Sequence, residues 1–261
     1  MTLANSTDGS ALEGTTAGAT ERRMDRMYRY QRHIYDLTRK YYLLGRDRMI
    51  TRVGAAATGR VVEIGCGTGR NLVLLAERLP HCDLYGIDAS DQMLGVARQR
   101  VRRAGLDQHV RLTRCLAERL DFADTFGLDR PFDAAVFSYV LSMIPDWRGA
   151  LDRAVANLPP GGTLHVVDFA DMSELPRHAA RALRRWLGLF GVTPRPDILD
   201  WCRSRARFEG GAVDVERLAG GYAFVLTYRR PDWAELPDEP FGWRIGTDLR
   251  PRSAAPAPPP A

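Results

Sequence analysis

The sequence predicts an α/β fold: a doubly wound, mostly parallel sheet of seven strands, with an antiparallel hairpin at its C-terminal end and a helical extension before its first strand. Three observations predict it. The run Val61-Val62-Glu63-Ile64 stops at three glycines on alternate positions, Gly65, Gly67 and Gly69, and a helical pattern takes over from Leu72 to Leu79. Apolar runs then return at intervals with helical segments between them, as strands covered on both faces require. The last two runs, Ala212 to Leu218 and Tyr222 to Tyr228, are joined through Ala219-Gly220-Gly221, which is hairpin spacing.

The elements follow in order. Leu84-Tyr85-Gly86-Ile87-Asp88 reads as the second strand and ends in an acid twenty-three residues after Gly65. A carboxylate there can accept from both hydroxyls of a ribose. Met93 opens the next helix, and Val110-Arg111-Leu112 is the third strand, followed by Cys115-Leu116-Ala117. Phe132 to Tyr139 is nearly continuous in apolar residues and makes a central fourth strand. Ligands of doubly wound sheets bind outside the carboxyl ends of strands, so the segment from Ser138 to Trp147 borders the reaction centre. Pro159-Pro160-Gly161-Gly162 turns into the fifth strand, Thr163 to Phe169.

Glycines at a strand-to-helix turn let the backbone bend where a Cβ would clash, or let a ligand lie on the main chain. A dinucleotide loop has the spacing G-x-G-x-x-G, with a pyrophosphate on the helix N-terminus. Here the third glycine comes one residue early, at Gly69, and Arg70 stands in its place. Glu63 would also repel a pyrophosphate, which disfavours a nucleotide-dependent oxidoreductase. The run from Val61 to Asn71 resembles instead the cofactor loop of the class I, Rossmann-like S-adenosylmethionine-dependent methyltransferases. That resemblance implies S-adenosylmethionine as cofactor, S-adenosylhomocysteine as product and no metal. It sets Glu63 near the amino end of methionine, Asp88 on the ribose and Met93 on an adenine face, Met93 being equally readable as plain core. Related enzymes often carry an Asp-Ala pair where this chain has Leu116-Ala117, so adenine would be read by backbone groups. The implied cofactor-binding set is Tyr42, Arg46, Glu63, Gly65, Cys66, Gly67, Asp88, Ala89, Met93, Leu116, Ala117 and Ser138.

Composition sets the limits. A chain of 261 residues with 45% hydrophobic content suits one domain with decorations. Its divisions read as a disordered tail over 1–22, a helical cap over 23–58, the cofactor domain over 59–230, and a tail over 231–261 whose end is disordered. Trp233, Phe241 and Trp243 in that tail suggest that part of it packs back on the domain. The four cysteines, at 66, 82, 115 and 202, form no C-x-x-C pair, which points to a reduced, cytoplasmic protein. No stretch is long or apolar enough to span a bilayer, and the N-terminus lacks the apolar core of a signal peptide.

The acceptor must be read outside the shared core. From Met24 to Ile50 the chain is rich in tyrosine and arginine, and Met27, Tyr30, Ile34, Leu37, Tyr41 and Leu44 make one face of a helix. Tyr28, Tyr35 and Tyr42, spaced by seven, lie off that stripe. They can ring a cation, or they can form an amphipathic edge with hydroxyls in water. The stretch from Tyr30 to Asp47 resembles the bacterial betaine-lipid N-methyltransferases, which convert diacylglyceryl-homoserine to diacylglyceryl-trimethylhomoserine. The resemblance implies that Tyr42 and Arg46 approach the methionine end of the cofactor. Tyr35, Tyr42 and His33 in the tyrosine-rich helix are the candidates to position the substrate, His33 being readable as its base or as a structural histidine. Phosphatidylethanolamine N-methylation, quinone C-methylation and a non-catalytic cofactor-binding subunit are the alternatives.

A second segment, Pro176 to Phe190, puts Ala179, Ala182, Leu183, Trp186, Leu187 and Phe190 on one helical face and Arg177, Arg181, Arg184 and Arg185 on the other. It reads either as a helix lying in a membrane interface or as a core-packed helix with a solvated arginine face. With a net charge of +5, an anionic membrane surface is the expected partner, and nucleic acid is disfavoured by the lack of a recognition motif. The expected setting is peripheral, at the inner membrane face. The enzyme that makes the homoserine lipid would be a further partner.

Overall fold

The computed structural model describes residues 43–57 and 59–232 of the chain. The first helix, α1, covers Arg46–Ala56, and β1, Arg60–Ile64, leads through the glycine turn into α2, Arg70–Arg78. Then come β2 (Asp83–Asp88), α3 (Asp91–Arg103), β3 (Val110–Arg114), a short 3-10 turn (Ala117–Arg119) and α4 (Phe122–Phe126). β4 (Ala134–Ser138), α5 (Trp147–Ala156), β5 (Thr163–Phe169), α6 (Arg177–Gly188) and α7 (Asp197–Glu209) precede the hairpin of β6 (Ala212–Leu218) and β7 (Ala223–Arg229).

The seven strands lie in the order β3-β2-β1-β4-β5-β7-β6. β1 to β5 are parallel, and β7 runs antiparallel to both β5 and β6. The fold class read from the sequence is the fold observed. The order reverses between β1 and β4, which is where a doubly wound sheet opens a crevice at its carboxyl edge.

Side chains alternate across each strand, so β1 feeds two cores. Val62 and Ile64 join one layer with Phe132, Leu151 and Ile198, while Val61 joins the other with Met49, Ile50, Leu72 and Leu94. Glu63 shares the Val61 face, and this brings its carboxylate against α2. On that same side α1 buries Met49, Ile50 and Val53 against the sheet.

The helical face expected from Met27 to Leu44 falls outside the described residues except at Leu44, and α1 starts just after it. Gly45 has φ 82°, caps the start of α1, and a Cβ on it would lie 2.5 Å from Leu218 Cδ1. The apolar face of α1 itself starts at Met49. The basic helix differs in detail from its expectation. Ala180 and Leu187 are its buried residues, whereas Ala182, expected on the apolar face, is exposed. Arg48 and Arg52 of α1 reach across to Glu216 and Asp214 on the edge strand β6, so the first described helix is clasped to the last hairpin. Tyr28, His33, Tyr35 and Tyr42, and the tail residues Trp233, Phe241 and Trp243, lie outside the described residues.

Two buried titratable groups share β5. His165 is held between the hydroxyls of Thr163 (3.0 Å) and Thr227 (3.2 Å), and burial pushes its pKa down to about 4. Asp168 accepts from the N–H groups of Phe169 (2.8 Å) and Ser142 (3.1 Å), and burial still pushes its carboxyl up to about 6. The two act on stability with opposite sign. Below its ordinary pKa the unfolded histidine takes a proton that the buried one refuses, so His165 adds stability as pH rises from about 4 to 6.5. The unfolded Asp168 loses its proton before the buried one does, so stability falls as pH rises from about 4 to 6. At ~1.4 kcal/mol per unit each amounts to about 3 kcal/mol, and in the native chain they offset one another. Relative to the native chain, His165→Gln should lose stability between pH 4 and 6, and Asp168→Asn should gain it over the same range. Urea titrations at pH 4, 5 and 6 read this directly, and parallel profiles for the two variants would refute the assignment.

Candidate functional site

The crevice at the switch point is lined by Leu43, Arg46, Glu63, Gly65, Cys66, Gly67, Thr68, Arg70, Asn71, Asp88, Met93, Ser138, Tyr139, Val140 and Met143. Four short segments build it: the start of α1, the turn from β1 into α2, the end of β2 with the start of α3, and the loop after β4. All three glycines of the turn have positive φ, with Gly65 at 71°, Gly67 at 54° and Gly69 at 72°. The N–H groups of Gly65 and Cys66 both donate to the Ile87 carbonyl, at 2.8 and 2.9 Å, which ties the turn to β2. A Cβ on Gly65 would lie 2.4 Å from Val140 Cγ2. The missing side chain is therefore what lets the loop after β4 close on the turn.

Asp88 organises the next wall. One carboxylate oxygen accepts from the Gly67 N–H (2.8 Å) and the other from the Ser90 N–H (2.9 Å). Ser90 in turn caps α3, its hydroxyl accepting from the Met93 N–H at 3.4 Å. One buried acid thus fixes the turn, the helix start and Met93 together. Each carboxylate oxygen has further lone pairs, so Asp88 keeps capacity to accept from a diol. Glu63 is buried and lines the same crevice, its Oε1 accepting from Asn71 Nδ2 at 2.7 Å. Burial pushes the Cys66 thiol far up, so it stays a neutral lining group.

The loop after β4 is latched from below. Tyr139 takes φ 55°, its N–H donates to Val167, and its hydroxyl donates to the Leu44 carbonyl at 2.5 Å. Asp168 holds the Ser142 N–H of the same loop. Tyr139 stacks edge-on against Phe169 at 4.7 Å, and Phe169 against Tyr222 at 5.6 Å.

Of the residues expected to bind cofactor, Arg46, Glu63, Gly65, Cys66, Gly67, Asp88, Met93 and Ser138 line this one crevice. Ala89, Leu116 and Ala117 do not line it. The Ala89 carbonyl accepts from Arg114 Nε (3.2 Å), Leu116 caps the 3-10 turn, and Ala117 is packed in the core. Tyr42 lies outside the described residues, as do Tyr35 and His33. Sequence reasoning missed Asn71, Arg70, Tyr139 and Asp168. Asn71 and Arg70 stand in the quoted motif, but only the turn of α2 shows which way they point.

Comparison with known proteins gives this geometry its context. Residues 62–164 match the family described as methyltransferase domain. The chain is 34% identical over 142 residues to the trans-aconitate 2-methyltransferase of Methylobacterium nodulans, covering 54% of this chain and 48% of that protein. It therefore spans about half the length of that relative. It is 31% identical over 147 residues to the phosphatidylethanolamine N-methyltransferase of Cereibacter sphaeroides, covering 56% of this chain and 68% of that protein. The chain belongs to the S-adenosylmethionine-dependent methyltransferases. Among solved structures, the plantazolicin methyltransferase BpumL, in complex with a monoazolic desmethylPZN analog and SAH, superposes with a TM-score of 0.59. That match covers 85% of this chain and all of that one, and at 10% identity it speaks for the fold alone.

The residues present fit the family's cofactor. Gly65 and Gly67 leave the main chain bare, the Asp88 carboxylate lines the crevice with the chemistry to accept from a diol, and Glu63 adds a buried carboxylate suited to an ammonium. Among the described residues no group of acidic, histidine or cysteine side chains is arranged to hold a metal ion. Asp88→Ala should weaken S-adenosylhomocysteine binding by about tenfold or more in calorimetry, because it removes both the diol acceptor and the anchor of Gly67. Unchanged affinity would contradict the ribose role. Gly65→Ala should cost about 1–3 kcal/mol in denaturant titrations, from positive φ and the Val140 clash together. Val140→Ala in the same chain should recover only the clash component, a non-additivity that a double-mutant cycle measures.

Proposed function

We propose that this chain catalyses S-adenosylmethionine-dependent N-methylation of a lipid head-group amine, with successive methylation of diacylglyceryl-homoserine to diacylglyceryl-trimethylhomoserine as the specific reaction. When bound, the cofactor supplies a methyl group on a positively charged sulfur that a neutral amine displaces. The chain contributes position and exclusion of water. Asp88 and Glu63 hold the two ends of the ligand apart, Met93 packs beside it, and the latched loop from Tyr139 to Met143 walls the crevice on the side of β4.

The lipid part of the reading is carried by how charge is distributed. The chain has 37 basic and 32 acidic residues, and five of the arginines but none of the acids fall within 175–196, leaving 32 of each elsewhere. Arg177, Arg181, Arg184 and Arg185 make no ion pair with any described residue, although Arg184 donates to the Asp171 carbonyl at 2.6 Å. Leu189, just past α6, is 73% exposed, and Trp186 stacks edge-on with Phe190 at 5.0 Å. Ala180 and Leu187 are spent on the core, so α6 meets a bilayer chiefly through its arginines, as a peripheral contact with anionic lipid at the inner membrane face. No helix among the described residues is long and apolar enough to cross a membrane.

A second reading, phosphatidylethanolamine N-methylation, is favoured by the similarity to the Cereibacter sphaeroides protein. Incubation with methyl-labelled cofactor and lipid extracts separates the two. Label should enter the homoserine lipid, in up to three steps. Label in phosphatidylethanolamine or in a quinone, and none in the homoserine lipid, would overturn the specific reaction. Arg177→Gln with Arg181→Gln should reduce sedimentation with phosphatidylglycerol vesicles severalfold, and added salt should do the same to the native chain.

A further inference from the structure

Asn71 is 7% exposed and lines the crevice, and its Oδ1 has no hydrogen-bond partner among the described residues. Its orientation is not arbitrary. Nδ2 lies 2.7 Å from Glu63 Oε1, and a carboxylate accepts but does not donate, so the amide nitrogen must face Glu63 and the oxygen must face away. A buried amide oxygen left unpaired costs free energy unless a ligand donor meets it. The neighbouring residue carries the complementary atom. Arg70 also lines the crevice, its Nη2 is 4.0 Å from Asp47, and its buried Nη1 has no hydrogen-bond partner among the described residues. Both residues stand in the first turn of α2, where the helix N-terminus has no side-chain cap and favours negative charge.

An acceptor beside an acid, followed at once by a guanidinium donor at a helix N-terminus, matches an α-amino acid with its ammonium and its carboxylate. We propose that Asn71 and Arg70 together clamp the amino-acid end of the cofactor, Asn71 Oδ1 accepting from the ammonium and Arg70 Nη1 donating to the carboxylate. This assignment rests on the cofactor reading above and adds two residues to it. Arg46, which the sequence resemblance pointed to for the carboxylate, already has an interaction partner, whereas the buried Arg70 Nη1 has no hydrogen-bond partner among the described residues. Glu63 is then a positioning residue as well as a charge, because it orients the Asn71 amide.

Calorimetry with two nucleosides tests the clamp without turnover. S-adenosylhomocysteine carries the amino acid, and 5′-methylthioadenosine keeps the nucleoside but lacks it. Native protein should bind the first more tightly. Asn71→Leu and Arg70→Gln should each weaken S-adenosylhomocysteine by about tenfold or more and leave methylthioadenosine within about twofold. The Arg70 side chain is partly exposed, so that variant keeps the test sound if removal of the buried amide harms folding. Unchanged S-adenosylhomocysteine affinity, or an equal loss for both nucleosides, would overturn the clamp. Native protein that bound neither nucleoside would instead overturn the cofactor reading itself.

Discussion

The close approach of two loops at the sheet's switch point is the constraint on which the site depends. Val140, after β4, fills the space that a Gly65 side chain would need, after β1. Everything around the crevice serves that contact. Asp88 fixes the turn through the Gly67 N–H, and Asp168 fixes the β4 loop through the Ser142 N–H, so each loop is anchored by a buried carboxylate from a neighbouring strand. Backbone N–H groups in tight turns have few partners to choose from, and an acid with several lone pairs satisfies them at short range. Two loops held this way can be set edge to edge without helices or disulfides to brace them.

The sheet and the cofactor turn were legible in the sequence because their signals are local. A β-branched run ending in alternating glycines, a strand ending in Asp88, and a hairpin closed by Gly220-Gly221 each announce themselves within ten residues. Two things were not legible. The assignment of Ala182 to the apolar face of α6 failed because the buried line runs through Ala180 and Leu187. The orientation of the Asn71 amide depends on Glu63, a contact across the strand-to-helix turn that no periodicity reports.

The molecule also separates its electrostatics into two regimes. Inside, Glu63, Asp88, His165 and Asp168 are buried and served by specific hydrogen bonds, so their effects are insensitive to salt. Outside, the arginines of α6 sit on a segment without a single acid. In the proposed reaction that face acts through its field, and the crevice acts through geometry. A chemistry that needs a dry, ordered site and a substrate anchored elsewhere would call for this division.

The clasp between α1 and β6 reaches further than its position suggests. Arg48 and Arg52 join Glu216 and Asp214 at partly exposed sites, where each pair is worth at most about 1 kcal/mol and weakens as ions are added. Yet α1 begins at Arg46, and Arg46 and Leu43 form one wall of the crevice. That wall is thus held twice, by ion pairs to the far edge of the sheet and by the burial of Met49, Ile50 and Val53. Added salt therefore removes the clasp and leaves the wall seated, because the apolar burial of α1 is not screened.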